Sequence, residues 1–108
     1  MAVLLVYPGG AGASRAPTHA EATAISKALH ASRATGAVHC FHAREIVVST
    51  AGPWARARIF PCYKHGDRAL AVLQRVKGRW RVRDLGTADA GCTVAPRKVR
   101  KDLRLVCA

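Results

Sequence analysis

The chain has 108 residues, enough for one domain with a modest core. Lys and Arg number 18 against 6 Asp and Glu, a formal charge of +12. That balance favours association with polyanions. No apolar stretch is long enough to span a membrane as a helix.

Ala2–Tyr7 is apolar, and Ala11-Gly12-Ala13 has the small-x-small form of a cleavage site before Ser14. The apolar run is shorter than a usual signal core, and no Lys or Arg precedes it. Residues 1–17 are therefore expected to be a partial signal-like or flexible segment, with a single domain over 18–108. Gly9-Gly10-Ala11-Gly12-Ala13-Ser14 follows an apolar hexapeptide but has neither the Lys nor the spacing of a phosphate-binding loop.

Thr18-His19-Ala20-Glu21 matches a capping box, with Thr as N-cap and Glu three residues on. Ala22, Ile25, Leu29 and Ser32 then share a face, which predicts a helix over about 19–34 ending at Gly36. The pattern next switches to strands. Glu45–Ser49 is closed by Thr50-Ala51-Gly52-Pro53, and Trp54–Phe60 alternates strictly. Ala69–Val76 and Arg79–Leu85 are joined by Lys77-Gly78, a two-residue hairpin turn. That turn puts Leu73, Arg75, Trp80 and Val82 on one face and Gln74, Arg79, Arg81 and Arg83 on the other. Pro96 opens a short helical pattern in which Val99 and Leu103 lie four apart. The fold class is α+β: a helix packed on a four-stranded antiparallel sheet, with a short disulfide-pinned carboxy-terminal helix. The core is expected on Ile25, Leu29, Ile46, Val48, Ile59, Leu73, Trp80, Val82, Val99 and Leu103, with Trp54 and Phe60 nearby.

Four cysteines in a short chain fit two disulfides and an oxidising compartment. Cys40–Cys62 with Cys92–Cys107 is favoured, because the second pair brackets one element and the first flanks two strands. The other pairings stay open from sequence. A Cys92–Cys107 link would contribute about 3 kcal/mol by restricting the unfolded chain.

Three constellations carry chemistry. Arg56 and Arg58 alternate on one strand and Arg79, Arg81 and Arg83 on another, so a single sheet face could present five guanidiniums. Lys98, Arg100, Lys101 and Arg104 form a second cluster on the last helix. Such a face would hold phosphates or carboxylates without reading sequence. It also reads as the ordinary wet face of an antiparallel sheet. Aromatics that stack bases are nearly absent from it, which argues against dedicated single-strand recognition. Next, His39, Cys40, His42, Cys62 and His65 are zinc-compatible atom types at spacings unlike those of zinc sites, and a disulfide explains the two cysteines. No metal and no cofactor is expected. Last, His39, His42 or His65 with Glu45 could serve a hydrolase, but nothing in the sequence forces two titratable groups together. Ser49 lacks a nucleophile-elbow context.

Val48-Ser49-Thr50, Pro53-Trp54-Ala55, Gly78-Arg79-Trp80-Arg81-Val82 and the stretch from Gly91-Cys92 through Pro96, Val99 and Leu103 to Cys107 resemble small exported proteins of high-GC bacteria. The resemblance covers about residues 20–107. It implies a signal peptide, a helix, a curved antiparallel sheet and a carboxy-terminal disulfide. The order of elements also resembles cystatin-like and nuclear-transport-factor-like folds, which host many functions and so imply none. The expected role is a non-enzymatic exported or cell-envelope domain that binds an anionic envelope polymer or an acidic protein through the basic face. The alternative is a secreted hydrolase such as a ribonuclease. Sequence-specific nucleic-acid recognition is not expected.

Overall fold

Thr18 starts the first helix as the sequence pattern requires: its side chain accepts from Glu21 N, and the Glu21 carboxylate accepts from Thr18 N. The computed structural model describes residues 14–35, 40–63 and 67–107. Helix α1 (His19–Ala31) is shorter than predicted, because Ser32 turns extended and a single 3-10 turn, Arg33–Thr35, follows. Buried Thr35 ends the segment by donating its hydroxyl to the carbonyls of Leu29 and Ser32.

Strands β1 (Phe41–Val48), β2 (Trp54–Pro61), β3 (Ala69–Val76) and β4 (Arg79–Gly86) form an antiparallel meander in chain order. Its first strand begins earlier than the sequence pattern showed, at Phe41. Two irregularities interrupt the register, one between Arg44 and Val47 and one opposite Val72 and Leu73. Glu45, with φ 52°, occupies the first. The hairpin register pairs Leu73 with Val82 and Arg75 with Trp80, and Gln74 with Arg81, so the two predicted faces are the observed ones.

One face carries the main core. Ile25 and Leu29 of α1 are fully buried over Ala55, Ala57, Ile59, Ala71 and Leu73. Alanines on the central strands leave room for the helix. Its backbone lies mainly against the outer strands, β4 above all and then β1. Trp80 is only partly buried against this core, with the Arg75 guanidinium 5.8 Å from its ring centroid.

The opposite face is not an open wet surface, as an ordinary antiparallel sheet would have. The carboxy-terminal segment crosses it and buries a second core of Trp54, Val72, Ala90, Ala95, Val99 and Leu103. Helix α2 (Arg97–Asp102) belongs to this layer. Six residues of helix are not stable alone, and three attachments fix them. Val99 and Leu103 are buried on the sheet. The Cys92–Cys107 disulfide closes the segment. Asp102, 1% exposed, accepts from Ser49 Oγ at 2.6 Å and Thr50 N at 2.7 Å, tying α2 to the β1–β2 turn. Its Oδ1 has no partner among the described residues.

Cys40 and Cys62 form the second disulfide, beside the Phe41–Pro61 end of the β1–β2 ladder. The segment 1–17, expected to be signal-like or flexible, lies outside the described residues up to position 13. Its described end is pinned. Arg15 exchanges backbone hydrogen bonds with Val48 at 2.8 and 2.9 Å, and its guanidinium makes a bidentate pair with Glu21, both contacts at 2.7 Å. That pairing, helped by Thr18 N–H, lowers the Glu21 carboxyl to a pKa of about 2. Among the described residues no helix is long and apolar enough to cross a membrane.

Candidate functional site

Alternation along β2 sends Trp54, Arg56, Arg58 and Phe60 to the face that the carboxy-terminal segment crosses. Across β3 the same face carries Gln74, Val72 and Leu70. The register places Arg79 and Arg81 there too, and Arg83 reaches it with its guanidinium 5.7 Å from the Trp54 ring centroid and bonded to Gln74. The five arginines singled out in the sequence thus share a face but not a site. Arg79, Arg81 and Arg83 stay on the far strand. Arg56 and Arg58 instead line a cleft of about 340 Å³ with Leu70, the Gly86–Ala90 loop, Arg104 and Val106.

The cleft exists because the tail stops short of covering the whole face. Leu103 is buried, and its carbonyl accepts from Arg56 Nε at 2.7 Å, which fixes that side chain at the base of the tail. Arg104 follows with φ 55°, a left-handed turn that redirects the chain toward Cys107. Opposite, Asp84 holds the other wall by accepting from Leu85 N at 2.9 Å and Gly91 N at 2.8 Å.

Burial lowers the pKa of the Arg56 guanidinium from its ordinary value. The positive charges of Arg58 and Arg104 lower it further, and Glu45 opposes them. An arginine remains charged under any such shift. Arg56 is thus half-buried beside two like charges, Arg58 and Arg104, which are themselves exposed. Glu45 accepts from Arg58 Nε at 3.0 Å, an exposed pair worth little in stability but able to orient the guanidinium. Asp89 is the carboxylate on the cleft wall. Among the described residues no hydrogen bond or ion pair engages the Arg104 guanidinium or the terminal nitrogens of Arg56. Chemically, the arrangement can accept an oxyanion.

No family model, curated protein or solved structure matches this chain. Any reading of function therefore rests on its own residues.

Beyond Arg58 the same face continues to Phe60, which joins neither core cluster. The Arg68 guanidinium lies 4.8 Å from its ring centroid and that of Arg44 6.0 Å. From sequence Phe60, being apolar, is expected near the core, and Arg44 and Arg68 join no cluster. Strict alternation over 54, 56, 58 and 60 was the signal that placed its ring among the arginines. Arg104 was assigned to a separate helical cluster. Only the crossing of the tail brings it beside Arg56. Of that cluster, Lys98 and Lys101 are exposed, and Arg100 donates to the Cys92 carbonyl at 3.0 Å.

The remaining candidates disperse. His39 and His65 lie outside the described residues. His42 is exposed, with Nε2 3.9 Å from Cys62 Sγ, while Glu45 pairs with Arg58. Cys40 and Cys62 are joined to each other, which leaves neither as a thiolate for a metal. Ser49 Oγ accepts from Ala51 N at 2.9 Å and donates to Asp102, so it serves the turn and the α2 attachment.

Proposed function

We propose that this protein is a non-enzymatic exported module that holds anionic groups of an envelope polymer or acidic protein in the Arg56–Arg58–Arg104 cleft. The observation that carries this reading is the convergence of three guanidiniums from two distant parts of the chain on one cleft, with Arg56 half-buried at its base. Arginine forks suit carboxylates and phosphates, and the partial burial of Arg56 strengthens the contact it makes. Two disulfides suit an oxidising compartment, which supports export.

The test removes equal charge from two places. One variant carries Arg56→Gln, Arg58→Gln and Arg104→Gln, and the other carries Arg79→Gln, Arg81→Gln and Arg83→Gln. Each is titrated with polyphosphate and with polyglutamate at fixed ionic strength. The cleft variant is expected to lose roughly tenfold or more in affinity and the β4 variant about twofold. Equal losses would show that the net charge acts diffusely and that the cleft is not the site.

A further inference from the structure

Phe60 is a partly buried ring on the sheet face that the tail crosses, and it belongs to neither core. It lies in line with Arg58 and Arg56 on alternate positions of β2, about 6.6 Å apart per step. That spacing is close to the phosphate repeat of an extended single strand of nucleic acid. Two guanidinium groups flank the ring. Arg68 is seated at 4.8 Å, whereas Arg44 at 6.0 Å stands at the outer limit of a cation–π contact and is the weaker of the two for a base to displace.

We propose that the polyanion is single-stranded DNA or RNA, with its phosphates on Arg56, Arg58 and Arg104 and a base stacked on Phe60 beside Arg68. The proposal rests on the anion-holding cleft described above and replaces the envelope polymer or acidic protein with a nucleic-acid strand as its occupant. A groove of cations ending in an aromatic plane is the arrangement by which single strands are held without sequence preference, because every base has a π-face. Arginine planes stack bases in the same way. A duplex keeps its bases inside its own stack and offers Phe60 nothing to cover. A linear polyuronate or polyphosphate satisfies the arginines but brings no planar ring. The stacking plane therefore favours a nucleobase, and recognition is of the class rather than of a sequence.

The experiment uses the full chain with both disulfides formed. Fluorescence anisotropy compares a short labelled oligothymidylate with an abasic strand of the same length, and polyuronate and duplex DNA serve as competitors. The oligothymidylate is expected to bind roughly 5- to 100-fold more tightly than the abasic strand, the range expected for stacking one base. Phe60→Leu keeps an apolar side chain without a π-face. It is expected to bring the oligothymidylate down to the abasic affinity while leaving the abasic strand unchanged. Circular dichroism and a melting curve establish that this variant folds. The comparison of the two strands on the unaltered protein needs no variant and decides the matter even if Phe60→Leu misfolds. Equal binding of oligothymidylate and abasic strand, or better competition by polyuronate or duplex, would overturn the nucleic-acid assignment and leave the cleft reading standing. Failure of every polyanion to bind would overturn both.

Discussion

Two glycines separate backbone conformation from packing at the scale of a single residue. Gly78 in the β3–β4 turn and Gly91 at the edge of the second core have nearly the same φ, +78° and +80°. A Cβ on Gly78 would meet nothing within 4 Å, while one on Gly91 would lie 2.7 Å from Val72 Cγ2 and 2.8 Å from Leu105 Cδ1. Gly78→Ala is therefore expected to cost about 1–2 kcal/mol, the left-handed penalty alone. Gly91→Ala adds overpacking of about 1–3 kcal/mol. Paired denaturant melts check the difference, and equal losses would mean that the tail yields freely at Leu105. The turn at Gly78 is legible in the sequence, but only the tertiary approach of the tail shows what surrounds Gly91. Arg104 and Phe60 follow the same division. Alternation placed Phe60 on the arginine face, whereas no local pattern says that Arg104 will lie over β2.

The informative element is the tail from Gly91 to Cys107, which supplies the second core, one wall of the cleft and one of its three guanidiniums. Its helical pattern and its bracketing cysteines were legible, because the Pro96 start signal, the Val99–Leu103 spacing and the cysteine spacing are local. Its position was not, because nothing in a six-residue amphipathic pattern says which sheet face it covers. The attachment can be dissected by removing the disulfide, which spans 15 residues. Cys92→Ser with Cys107→Ser is expected to cost about 3 kcal/mol in stability. It is also expected to red-shift emission from Trp54, 4% exposed in the intact fold, and to lower polyanion affinity as Arg104 leaves the cleft. The main core around Ile25 and Leu29 lies on the opposite face, so helical and sheet circular dichroism should persist. If emission and affinity both stay unchanged, Val99, Leu103 and Asp102 alone hold the tail and the disulfide has no part in shaping the cleft.

The charge of the whole molecule acts on folding and on binding with opposite signs. Its +12 formal charge is barely relieved inside the fold, since the described residues contain two ion pairs, Arg15–Glu21 and Arg58–Glu45. Unrelieved like charge destabilises a compact state, and added salt screens that repulsion beyond about 10 Å at 0.1 M. The same salt competes with any polyanion, because each phosphate contact releases condensed counterions. Raising sodium chloride from about 0.05 to about 0.2 M is therefore expected to raise the melting temperature by a few degrees. Over that range the affinity for a single strand is expected to fall by roughly 20- to 50-fold for three to four phosphate contacts. Calorimetry and anisotropy in matched buffers measure the two slopes. A melting temperature that falls with salt would show that the two ion pairs outweigh the general repulsion. An affinity indifferent to salt would show that the partner is not held by its charge, and the arginines would then be solvated surface.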